Sequence, residues 1–235
     1  EKRKVMDCVI QTNHGRLPLL LGAGGNCTAS VIDYLQNTDL TGFEGVLIVA
    51  PFYNKPSQEG LFQHFTAVAS KSPVPVVLYN VPGRTGVNIE AKTTLRIANA
   101  CDNVIAIKEA SGKIEQIEDI VKNAPEGFEV LSGDDSITFE LLTIGAQGVI
   151  SVIGNAYPKE FGEMTHKALQ GDYNEALKIH RSLSQAYKLL SADGNPAGIK
   201  SMLAVQRKTR NILRLPLVPA RTETTEAIKD FVKKF

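Results

Sequence analysis

Six runs of apolar residues rich in Val, Ile and Leu punctuate this chain: Leu17 to Gly24, Gly45 to Pro51, Val74 to Pro82, Val104 to Ala110, Phe128 to Asp134 and Gly148 to Asn155. They are continuously apolar rather than alternating, the pattern of strands covered on both faces, and so predict parallel strands. Segments of helical spacing lie between and after them: Thr28 to Leu35, Ser57 to Ser70, Glu90 to Ala100, Ile114 to Asn123, Ser136 to Ile144 and Pro158 to Leu169. In the fourth, Ile114, Ile117, Ile120 and Val121 form one stripe, while Glu115, Glu118, Asp119 and Lys122 occupy the other face.

Six strand–helix units in succession define an α/β protein. From Gly171 the strand pattern stops. Asp172 with Glu175 reads as a capping pair opening a helix to about Ala192, and Pro196 to Gln206 and Thr222 to Lys234 follow as further helices. The expected division is therefore a β/α part over 1–170 and a helical part over 171–235. At the start, Val5, Met6, Val9 and Ile10 make a helical stripe with no Ser, Thr, Asp or Asn ahead of it, so the chain is expected to open inside a helix. Six parallel strands fit an open doubly wound sheet, or six-eighths of a (β/α)₈ TIM barrel whose first two strands lie upstream. Even unit spacing and polar residues gathered at strand ends favour the barrel.

Composition narrows the classes. The 235 residues are 43% hydrophobic and 22% charged, with a formal net charge of +1, as in an ordinary globular protein. Basic residues are interspersed with acidic ones, so no footprint for nucleic acid or an anionic membrane is visible. No apolar run approaches the roughly 18 residues that span a bilayer. The expectation is a cytoplasmic protein without nucleic-acid or membrane partners. Cys8, Cys27 and Cys101 stand far apart, and His14, His64, His166 and His180 show no metal-ligand spacing, so neither a disulfide framework nor a metal site is predicted.

The candidate chemistry lies at the carboxyl ends of the strands, where barrel enzymes build their active sites. Lys108 closes Val104-Ile105-Ala106-Ile107-Lys108, and burial there would favour the neutral, nucleophilic amine of a Schiff-base enzyme. The alternative is a lysine that leaves the sheet and snorkels to solvent. Tyr79 ends the preceding run and leads through Asn80-Val81-Pro82-Gly83 to Arg84. A phenol can relay protons and a guanidinium can grip a carboxylate, although a strand-end plug and a surface ion pair are the plainer readings. Leu21-Gly22-Ala23-Gly24-Gly25-Asn26 lacks the full dinucleotide-binding spacing and reads as a tight turn, with an open-sheet phosphate binder as the competing idea. Gly133 with Asp134 suits either an anion-binding turn or an Asx cap on the next helix.

Pro51-Phe52-Tyr53-Asn54-Lys55-Pro56, Tyr79-Asn80-Val81-Pro82-Gly83-Arg84-Thr85-Gly86, Ile107-Lys108-Glu109-Ala110-Ser111-Gly112, Leu131-Ser132-Gly133-Asp134-Asp135 and Gly148-Val149-Ile150-Ser151-Val152 together resemble the dihydrodipicolinate synthases, pyruvate-dependent class I aldolases related to N-acetylneuraminate lyase. The resemblance runs along essentially the whole chain. It implies a (β/α)₈ barrel with a C-terminal helical domain, a homotetramer built as a dimer of dimers, and no cofactor beyond a covalent lysine imine. The implied reaction joins pyruvate to aspartate semialdehyde in lysine biosynthesis. In it Lys108 forms the imine, Tyr79 relays protons, and Tyr53 reaches across a dimer interface to complete that relay. Arg84 holds the semialdehyde carboxylate, and Gly133 and Ile150 line the pyruvate pocket. Arg84-Thr85-Gly86 favours this branch over sialic acid lyases and keto-sugar-acid aldolases, which remain alternatives beside a non-catalytic barrel relative. The family's threonine-bearing loop after an earlier strand has no counterpart in these residues.

Overall fold

The computed structural model describes all of residues 1–235. A first helix, α1 (Lys2–Asn13), precedes β1 (Leu20–Gly24), α2 (Thr28–Asn37), β2 (Gly45–Val49), α3 (Gln58–Ala69), β3 (Val76–Asn80), a single-turn α4 (Pro82–Thr85), α5 (Ala91–Ala100), β4 (Val104–Glu109) and α6 (Ile114–Asn123). Then come β5 (Glu129–Ser132), α7 (Thr138–Thr143), β6 (Gly148–Val149), α8 (Pro158–Leu169), α9 (Tyr173–Ala192), α10 (Ala197–Val205) and α11 (Thr222–Lys234). The strands follow one another in a single sheet in chain order. The pairs β1–β2, β2–β3 and β3–β4 are parallel, as the unbroken apolar runs predict.

The chain forms two compact units, Glu1–Leu131 and Ser132–Phe235. In the first, Val46, Ile48, Leu78 and Ile107 of the central strands are fully or nearly fully buried, as are Leu61, Phe65, Ile97, Ile117 and Ile120 of α3, α5 and α6. Each such burial contributes about 1.5–3 kcal/mol. Helix α6 hides Ile117 and Ile120 and turns its charges outward, as its periodicity requires. Ser57 caps α3 by accepting from the Gly60 amide at 3.2 Å. Gly24, at the end of β1, has φ +126°, and a Cβ there would stand 2.8 Å from Val49 Cγ1. The Gly-rich stretch is thus a turn that only glycine completes.

In the second unit, Met164, Leu183, Met202 and Ile228 bring α8, α9, α10 and α11 onto one core. The boundary expected at 170/171 lies inside this unit, where α8 and α9 pack together. Asp172 caps α9 by accepting from the Glu175 amide, as its position beside Glu175 predicts. The run Gly148 to Asn155 departs from expectation, because only Gly148–Val149 is strand and Ile153–Asn155 forms a 3₁₀ turn. The cause is Asp135, whose carboxylate accepts from the amides of Val152 at 3.1 Å and Ile153 at 2.7 Å and draws the chain out of the sheet.

Candidate active site

An irregularity in sheet register puts the lysine beside the tyrosine. Val76 of β3 pairs with Val104, but Val77 pairs with Ala106, so Ile105 is an extra residue in β4. Ile105 is accordingly 41% exposed between two buried neighbours. Such a bulge shifts every later partner by one place. Continued without it, the ladder would set Tyr79 against Ile107 and Asn80 against Lys108. With it, Tyr79 pairs with Lys108, and Asn80 with Glu109.

Side chains alternate along a strand, so the two pairs leave the sheet on opposite faces. On one face, the Lys108 Nζ lies 4.2 Å from the centroid of the Tyr79 ring, where the π face attracts a cation. Both residues are half-buried. Burial pushes the Tyr79 phenol above its ordinary value, and the nearby positive charge of Arg84 pulls the other way. The phenol is therefore protonated at neutral pH and able to donate. Arg84 itself is exposed on the single turn α4 and falls within electrostatic reach of Tyr79. The turn forms because Pro82 opens it with a preset φ and Gly86, at φ +77°, closes it.

Tyr53 stands apart from this pair. Its amide donates to the Thr85 carbonyl at 3.3 Å, tying the loop after β2 to α4, but its side chain is 86% exposed. Its φ of 74° lies in the left-handed region, which costs a non-glycine residue about 1–2 kcal/mol. Gly133 and Ile150 belong to the second unit. There the Ile150 amide donates to the Ser132 carbonyl at 2.9 Å, which joins the end of β5 to the segment after β6. Asp134 accepts from the Ser136 amide at 3.0 Å and its hydroxyl at 2.7 Å, so this aspartate is the Asx cap of the following turn. A cavity of about 530 Å³ in the second unit, lined in part by Lys200, Arg210 and Ile212, includes none of the predicted site residues. No three His, Cys, Asp or Glu side chains cluster as metal ligands do, and no helix is long and apolar enough to cross a membrane.

On the face opposite Lys108, Glu109 is fully buried. Its oxygens accept from Asn80 Nδ2 at 3.0 and 3.1 Å, from Gln116 Nε2 at 2.8 Å and from the Ser111 amide at 2.9 Å. Burial nonetheless raises its carboxyl above the ordinary range. In the second unit Asp135 is also buried, and burial shifts it the same way. Reading strand ends for polar residues finds Glu109 beside Lys108 without giving it a role, and stops one residue short of Asp135. The available signal was alternation, because a strand-end lysine on one face places its successor beneath the helices, where a carboxylate requires donors.

Fold and site together define a class, the α/β barrels that carry a lysine at a strand end. The chain belongs to the dihydrodipicolinate synthetase family, whose model matches residues 1–235. It is 56% identical over 229 residues to the 4-hydroxy-tetrahydrodipicolinate synthase of Phocaeicola vulgatus, covering 97% of this chain and 77% of that protein. It is 55% identical to that of Parabacteroides distasonis over 234 residues, covering 100% and 79% of the two. Among solved structures, dihydrodipicolinate synthase from Thermotoga maritima superimposes with a TM-score of 0.97 at 39% identity, covering all of this chain and 80% of that one. The synthase from Aquifex aeolicus gives 0.94 at 37% identity, covering 98% and 79%. The barrel architecture follows from these likenesses, and the open doubly wound sheet is set aside.

Proposed function

We infer that this chain condenses pyruvate with aspartate semialdehyde through a lysine Schiff base, giving 4-hydroxy-tetrahydrodipicolinate in lysine biosynthesis. The observation that carries the residue assignment is the register pair Tyr79–Lys108, with the amine 4.2 Å from the ring centroid. Lys108 attacks the keto carbon of pyruvate, and loss of water from the carbinolamine leaves the imine. Removal of a methyl proton gives the enamine, whose carbon adds to the aldehyde. The substrate's own amine then closes the ring and displaces Lys108, so no cofactor is consumed.

Each transfer of a proton needs a group that can both give and take one, and the Tyr79 phenol, whose oxygen donates one proton and accepts another, fills that role. Arg84, exposed beside it, receives the semialdehyde carboxylate in a bidentate grip. The motifs that carry Gly133 and Ile150 support a part for these two residues in holding pyruvate. Tyr53, with its ring almost wholly in solvent, extends into the site of a second copy, which accords with a tight dimer and, from two of these, a tetramer. One solved relative is a monomeric dihydrodipicolinate synthase variant, and sedimentation of this protein tests the tetramer. The cytoplasm is the proposed place of action.

The test is trapping. Pyruvate with borohydride should add the mass of a reduced pyruvyl adduct to the peptide carrying Lys108, and Lys108→Ala should remove it. An intact protein that acquires no adduct, or acquires it elsewhere, ends the assignment.

A further inference from the structure

We infer that Glu109 is a positioning residue, whose buried carboxylate clamps Asn80 and so locks the bulge-shifted register that brings Lys108 to Tyr79. This inference rests on the Schiff-base reading above. It deepens that reading by assigning a role to a residue on the far face of the same strand.

The register needs a lock. After the extra residue Ile105, only four pairs separate the bulge from the end of the β3–β4 ladder, from Val77–Ala106 to Asn80–Glu109. A slip back by one place would turn Lys108 away from Tyr79. The last pair is where a lock has most leverage. There Asn80 and Glu109 are both fully buried. The orientation of Asn80 is fixed independently, because its Oδ1 accepts from the Ile89 amide at 2.9 Å and its Nδ2 is thereby aimed at Glu109. That Nδ2 straddles both carboxylate oxygens, at 3.0 and 3.1 Å. The partners of Glu109 are all donors, from Asn80, Gln116 and Ser111.

An acceptor on both arms is therefore required. Glutamine would turn an NH₂ group toward N–H donors, leaving buried polar groups unmatched. The slipped ladder would bring Asn80 against Lys108, whose ammonium has only donors to offer the Asn80 Nδ2. The clamp thus favours one register by attraction and opposes the other by mismatch.

The experiment separates positioning from mere stability by following imine formation in the intact protein, with borohydride quenching and intact mass over a range of pyruvate concentrations. Glu109→Gln should slow imine formation at saturating pyruvate by about 10- to 100-fold, the cost of misplacing a reacting group by about an ångström. The concentration for half-saturation should move by less than about threefold, because ground-state binding is not what the clamp supplies. The conservative Glu109→Asp keeps an acceptor on both arms, one methylene shorter, and should recover part of the lost rate. Should Glu109→Gln fail to fold, Gln116→Ala removes one peripheral donor and should slow the same step several-fold. A wild-type rate in Glu109→Gln or in a folded Gln116→Ala, or a Glu109→Asp no faster than Glu109→Gln, overturns the clamp. If wild type itself is never trapped at Lys108, the Schiff-base reading has failed instead.

Discussion

Replacing His64 with leucine should flatten the acid side of this protein's stability profile. His64 lies on α3 and is 5% exposed. Its Nδ1 shares a hydrogen bond of 2.9 Å with the Thr28 hydroxyl, while its Nε2 is buried without a partner. Burial therefore holds the ring neutral, with its pKa lowered from 6.5 to about 4. The unfolded chain takes up a proton near pH 6.5 and the folded one only near pH 4. Between those values the unfolded state binds more protons, so stability is full above about pH 6.5 and is lost as pH falls toward 4. At about 1.4 kcal/mol per pH unit the loss approaches 3 kcal/mol. Glu109 and Asp135 work in the opposite sense, because their raised pKa values make them favour the fold at low pH and oppose it as pH rises. The informative quantity is thus the difference between wild type and His64→Leu, measured by urea denaturation from pH 4.5 to 7.5. Wild type should lose stability relative to the variant as the solution is acidified. Parallel curves would show that His64 charges freely within the fold, and the reasoning from its burial would be wrong.

Tyr79→Phe should slow turnover by about 10²- to 10⁴-fold, the usual cost of a lost proton relay, in an assay of product formation; an unchanged rate would make the ring a plug. Arg84→Ala should raise the half-saturating concentration of aspartate semialdehyde at least tenfold while borohydride trapping of pyruvate continues, since the bidentate grip concerns the second substrate alone. Gly24→Ala, which places a methyl 2.8 Å from Val49 Cγ1 at φ +126°, should destabilise the fold by about 1–3 kcal/mol in denaturant melts.

What could be read from residues alone was whatever depends on local pattern. Unbroken apolar runs located all six strands, and Asp172 three places before Glu175 located the start of α9. The sixth strand was overdrawn, because its apolar residues run on to Ile153 while Asp135, distant in sequence, captures the backbone amides at 152 and 153. The bulge at Ile105 was invisible for a related reason. A continuous apolar run has no alternation to break, so an added residue leaves no mark in the pattern. Pro82 and Gly86 mark Asn80 to Gly86 as a turn-forming loop, and the turn is a single helical one, α4, because those signals do not distinguish the two.

The two buried carboxylates beside the predicted site motifs share a logic that explains how each unit is built. Glu109 and Asp135 are both buried, and each immediately follows a residue of a predicted site motif, Lys108 in one case and Gly133-Asp134 in the other. Neither needs a formal countercharge among its hydrogen-bond donors. Glu109 is held by two side-chain amides and a backbone amide, and Asp135 by the amides of Val152 and Ile153. A buried carboxylate of this kind is costly to desolvate, as the raised pKa of each records, and it contributes little to stability in return. What it supplies is directional demand, since two acceptor oxygens accept donors from only a few arrangements of the surrounding backbone. In the first unit that demand selects a strand register, and in the second it bends the segment after Ile150 out of the sheet. In the first unit, precision in the reacting pair is thus set from behind it, by a carboxylate that the substrates need never touch.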